Sequence, residues 1–204
     1  MPTTSSIRAV RVPVGDQWLQ GDLGMSAEPH GVVLFAHGSG SSRHSPRNQY
    51  VARALERRDL ATLLIDLLTP EEESVDDRTA QYRFDIPLLA GRLATTVDWL
   101  RRRHETAFLP IGLFGASTGG GAALANVTAP TLLIVGGLDA PVIQMNRDAM
   151  RQMRAEVTLE IVPGASHLFE ESGTLERVAE LAGNWFSRYL QPTVSTKPVG
   201  PTTV

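Results

Sequence analysis

The 204 residues predict an α/β fold in three layers, a mostly parallel sheet with helices on both faces. Three observations carry that expectation. Short runs rich in leucine and β-branched residues recur along the chain, starting with VVLFAH (32–37) and ending with VTLEIVP (157–163). Segments with apolar residues at helical spacing separate them. Glycine, serine, aspartate and histidine gather just after the runs, where the loops of such folds carry chemistry.

Taken in order, IRAVRVPV (7–14) and QWLQGDLGM (17–25) meet at Gly15-Asp16, a two-residue hairpin signal. VVLFAH has the continuous apolar character of a buried parallel strand. Ser45-Pro46 supplies an N-cap and a first-turn proline for a helix running to about Arg58. ATLLIDLL (61–68) is a strand and 70–82 reads as an acidic loop. Leu88, Leu89, Leu93, Val97 and Leu100 mark a helix over 86–103. PIGLFGA (110–116) is a strand leading into a short helix at 118–125. TLLIVGG (131–137) is a strand, followed by a helix over 141–154. VTLEIVP precedes a last helix over 172–190. Residues 1–190 therefore form one domain, and QPTVSTKPVGPTTV (191–204) reads as a disordered tail. No internal repeat is visible.

Composition narrows the function classes. A net charge of −3 and the lack of any basic block argue against nucleic acid or a membrane surface as partner. The absence of cysteine removes disulfides, thiolate metal sites and a cysteine nucleophile. The first residues do not read as a secretory signal, and no run approaches the roughly 18 apolar residues of a membrane span. A cytoplasmic location is the default expectation.

Gly115-Ala116-Ser117-Thr118-Gly119 matches a nucleophile elbow, and its setting between strand and helix is the one that motif requires. Small residues are needed there because the turn is sharp and its neighbours pass close. A serine hydroxyl needs a base, and His167 is the best placed of five histidines, in the loop beyond VTLEIVP. Its alternative is a satisfied loop histidine. Asp139, just beyond TLLIVGG, would orient the imidazole, although an aspartate before Ala140-Pro141 is also an N-cap. The order Ser117, Asp139, His167 is that of α/β-hydrolase triads. Backbone N–H groups of Ser39 and Thr118 would form the oxyanion hole, with His37 shaping the loop. His30, His44 and His104 read as surface residues.

With these residues in place, the chain resembles the dienelactone-hydrolase-like branch of the α/β-hydrolases. HGSGSSRHSPRN (37–48), GLFGASTG (112–119), GGLDAPV (136–142) and PGASHLFEE (163–171) carry the resemblance over about residues 31–190. It implies an α/β-hydrolase fold and cofactor-free hydrolysis of esters or lactones, with a small-molecule ester as partner. Founding dienelactone hydrolases use a cysteine nucleophile, whereas serine stands here, so their substrate does not carry over. The chain also lacks one β–α unit after the elbow, because only 22 positions separate Ser117 from Asp139. Eight helical residues cover about 12 Å and five extended ones about 16 Å. A six-residue strand is about 20 Å long, so a return path is tight but feasible. TLLIVGG is therefore expected directly beside PIGLFGA, with a shallow, open pocket.

Other residues invite functional readings. Arg43 and Arg47 flank the oxyanion loop and could grip a substrate carboxylate, or simply be solvated. Glu71, Glu72, Glu73, Asp76 and Asp77 fit a solvated cluster at a helix start better than a metal site. Trp99, Trp185 and Phe186 read as core. The leading expectation is a serine esterase, with lactones and thioesters as further candidate substrates. A non-catalytic binding protein of the same fold and an acyltransferase with the same triad stay open, as does the oligomeric state.

Overall fold

The computed structural model describes residues 6–38, 40–117, 129–151, 153 and 155–191. Strands β1 (Ser6–Val14) and β2 (Gln17–Met25) form the expected hairpin, closed by a Val14–Gln17 pair. Gly15 turns the chain at φ +61°, a backbone state that glycine adopts without steric cost. β3 (Val32–Ala36), α1 (Pro46–Glu56), β4 (Ala61–Ile65), α2 (Pro70–Thr79), α3 (Ile86–Arg101) and β5 (Ile111–Gly115) follow. The chain then forms β6 (Thr131–Gly136), α4 (Ala140–Met150), β7 (Val157–Val162) and α5 (Thr174–Tyr189).

Five strands share one mixed sheet in the order β1-β2-β4-β3-β5, antiparallel at the hairpin side and parallel from β4 to β5. Alternation along β3 divides the core. Val32, Leu34 and Ala36 face Leu89, Leu93 and Leu100 of α3, while Val33 and Phe35 face α1 and α5. Helices thus cover both faces, as an α/β-hydrolase fold requires. Among the described residues no helix is long and apolar enough to cross a membrane.

Two expectations are corrected. Residues 70–79 are helical, not loop, because Thr69 and Glu72 form a reciprocal capping box and Pro70 sits in the first turn. The acidic run lies at the positive end of the helix dipole, which accommodates it. Asp76 is buried rather than solvated, accepting from the Tyr82 and Arg83 amides and from the Arg83 guanidinium. The second correction concerns β6. It pairs in parallel with β7 in a separate two-stranded sheet, and among the described residues it has no ladder with β5. Packing sets its position: α5 lies on β6, β7 and α1, and Phe186 of α5 rests on Gly112 of β5. The helix expected at 118–125 and the tail from 192 onward lie outside the described residues.

Candidate active site

Ser117 follows β5 with φ +53°, a left-handed state that costs a non-glycine residue on the order of 1–3 kcal/mol. This is the strained turn that a nucleophile elbow demands, and it leaves the serine exposed. The loop after β3 runs alongside. A Cβ added to Gly38 would lie 3.1 Å from both Ser117 Cβ and the Ala116 carbonyl oxygen, so a side chain here would need the elbow to give by a few tenths of an ångström. Ser39 and Thr118, the expected oxyanion donors, lie outside the described residues.

His37 shapes this loop, as expected. Leu67 N–H donates to its Nε2 at 3.2 Å, so the ring proton sits on Nδ1 and faces the Gly38 carbonyl at 2.9 Å. Both nitrogens are occupied, which leaves no free base at this position. Of the other histidines, His44 and His104 are exposed as expected, whereas His30 is partly covered and its Nε2 is buried with no partner among the described residues.

Asp139 and His167 come from the loops after β6 and β7, and they meet. His167 Nδ1 lies 2.7 Å from Asp139 Oδ2. The other oxygen of Asp139, Oδ1, accepts the Val142 amide at 3.4 Å and caps α4. This aspartate therefore caps a helix with one oxygen and contacts the imidazole with the other. Its side chain is 16% exposed and that of His167 51%, so the pair has a sheltered and an open end.

The two loops are stitched together beneath the pair. Gly137 N–H donates to Val162 O at 2.8 Å and Leu138 N–H to Ala165 O at 2.9 Å. A Cβ on Gly136 would stand 2.4 Å from the Ser166 carbonyl oxygen, which makes this close approach dependent on glycine. Glu171, which sequence reasoning missed, accepts the Ser166 amide at 3.0 Å. The hydrogen bonds from the Ser166 backbone and hydroxyl hold its carboxyl below the usual glutamate range. No motif announces such a contact, because it depends on how one turn closes.

An open groove of about 1060 Å³ lies between the loop after β3 and the segment that follows His167. Gly38, against Ser117, and Leu168, beside His167, both line it. Ser117, Asp139 and His167 are not among its described lining residues; Ser117 follows a strand of the five-stranded sheet, whereas the Asp139–His167 pair follows the two strands of the other sheet. Arg43 and Arg47 do not offer free cations: Arg43 is enclosed by Asp66, Asp22 and Gln20, and Arg47 lies 3.6 Å from Glu170.

No established family model matches the chain. Two Mycobacterium tuberculosis proteins, from strains H37Rv and CDC 1551 and provisionally named phosphoribosyl transferases, are each 47% identical over 208 residues, or 89% of this chain. The match takes up 46% of either relative, so the chain spans about half the length of the curated relatives it matches. Est1E from Butyrivibrio proteoclasticus superposes with a TM-score of 0.72 at 14% identity, over 89% of this chain and 98% of that one. That likeness shows the fold alone. A dienelactone hydrolase from Anabaena variabilis superposes with a TM-score of 0.90 at 51% identity, over 92% of this chain and 99% of the other. With this degree of identity over nearly the whole of a relative, the chain belongs to the dienelactone-hydrolase-like branch of the α/β-hydrolases.

Proposed function

We propose that the chain is a serine hydrolase of small carboxylic esters, acting through an acyl-enzyme. The observation that carries this reading is the 2.7 Å contact between His167 Nδ1 and Asp139 Oδ2. The elbow backbone of Ser117 and the family membership support it. Asp139 holds the proton of His167 on Nδ1, leaving Nε2 to take the proton of Ser117 as Oγ attacks the ester carbonyl. The tetrahedral oxyanion forms against the amides of Ser39 and Thr118. His167 then protonates the departing alcohol. Water, deprotonated by the same nitrogen, attacks the acyl-enzyme; the acid leaves and Ser117 regains its proton. Lactones and thioesters fit the same scheme, because each presents an acyl carbon to the serine.

Hydrolysis of short-chain p-nitrophenyl esters tests this proposal. Ser117→Ala should abolish all but residual turnover, and a fluorophosphonate should label the wild type at Ser117 alone. Unchanged activity in that variant would refute the assignment. The separation of β6 from β5 favours one second reading, a binding protein whose site is incomplete. A folded wild-type chain that never labels would support it. We attribute the activity that names the mycobacterial relatives to the half of those proteins that this chain does not match.

A further inference from the structure

We propose that Arg43 and Asp66 form a positioning pair that sets the height of the oxyanion loop, an inference that rests on the serine-hydrolase reading above. The loop leaves β3 at His37 and is fastened at two points to consecutive residues beyond β4. At its near end, Leu67 N–H donates to His37 Nε2. At its far end, Arg43 N–H donates to Asp66 Oδ1 at 2.7 Å, and the guanidinium Nη1 donates to Asp66 Oδ2. One carboxylate thereby holds both the backbone and the side chain of one residue. Arg43 Nη2 reaches Gln20 Oε1 at 3.0 Å, and Nε lies 3.6 Å from Asp22 Oδ2. The arginine, with its side chain 19% exposed, is therefore surrounded by acceptors of β2 and of the segment beyond β4.

This arrangement has two consequences. Arg43 has no remaining fork for a substrate carboxylate, since its guanidinium already faces two aspartates and a glutamine. Between the two fastenings lies Gly38, pressed against Ser117. The fastenings fix where Gly38 stands against the elbow, and through it they would set the oxyanion donor that the hydrolase reading assigns to this loop. An oxyanion donor acts on charge that develops only in the transition state, so its displacement lowers kcat and leaves substrate binding nearly unchanged. Arg43 touches no reacting atom and acts through the loop. Lysine can replace the charge but not the planar fork that spans Asp66 and Gln20 together.

The test compares wild type, Arg43→Met, Arg43→Lys and Arg43→Ala with a p-nitrophenyl ester, and measures amide hydrogen exchange over residues 37–43. In Arg43→Met, kcat should fall on the order of 10²-fold, as expected for a reacting group misplaced by about an ångström. KM should stay within about threefold, the mark of an interaction made in the transition state. Arg43→Lys should fall between, and guanidinium ions added to Arg43→Ala should restore kcat saturably. Loop amides should exchange faster in Arg43→Met while those of β3 and β4 keep their protection. A folded Arg43→Met with unchanged kcat, or with the loss carried by KM, would overturn the proposal. If Arg43→Met does not fold, the kcat of Arg43→Lys decides by the same criterion. Should the wild type neither hydrolyse nor label, the hydrolase reading fails. The exchange data then judge the fastening by itself, and unaltered loop exchange would refute it.

Discussion

Asp139 divides its two carboxylate oxygens between a helix end and an imidazole, and substitution can separate those duties. Asp139→Asn keeps an N-cap acceptor but removes the charge that fixes the imidazole tautomer. Ester kcat should fall about 10⁴-fold in this variant, with a thermal midpoint close to wild type. Asp139→Ala loses the cap as well and should cost about 1 kcal/mol of stability in addition. Gly38→Ala puts a methyl group 3.1 Å from Ser117 Cβ and the Ala116 carbonyl, so it should cut turnover strongly in a protein that still folds. Kinetics beside a melting curve checks all three. The turn at Ser117 and the meeting of Asp139 with His167 could be anticipated from residue type, chain order and position after strands. The setting of Arg43 could not, because Asp66, Gln20 and Asp22 each lie more than 20 positions away and only the strand order gathers them.

At the scale of elements, the strands and most helices could be read from β-branched runs and apolar spacing, often to within two residues of their ends. α2 was missed for a physical reason. It carries almost no apolar face, so its periodicity is silent and its evidence lies in the cap: Thr69, Pro70 and Glu72. Thr69 is buried, and Thr69→Ala should cost about 1 kcal/mol, measurable by urea unfolding. Asp76 closes the other end of this helix. Burial raises its pKa, but hydrogen bonds from Tyr82 and Arg83 outweigh burial and leave it below the ordinary aspartate value of 3.8. Its ionised form therefore favours the fold, with a contribution complete above 3.8 and lost as pH falls through the lower folded value. Asp76→Asn should destabilise the protein at neutral pH, and its deficit should shrink under acid conditions in melts followed by circular dichroism.

For the whole molecule, the sequence pointed to the right layers but to the wrong partner for β6. The short connection suggested pairing with β5, whereas the tertiary contacts of α5 hold β6 and β7 as a sheet of their own. A local chain length does not reveal such a contest between reach and packing. Phe186 sits where the bodies join, on Gly112 of β5 and in one apolar cluster with Val162 of β7. Phe186→Ala should lower stability by about 3–5 kcal/mol, read from denaturant midpoints.

Because Ser117 and His167 ride on separate sheets, the proton transfer proposed between them would gauge how the two plates are aligned. Mild urea should therefore silence turnover before the ellipticity changes, as a slight slip opens the gap that the proton must cross. The catalyst would fail as a pair of misaligned jaws while each jaw kept its shape.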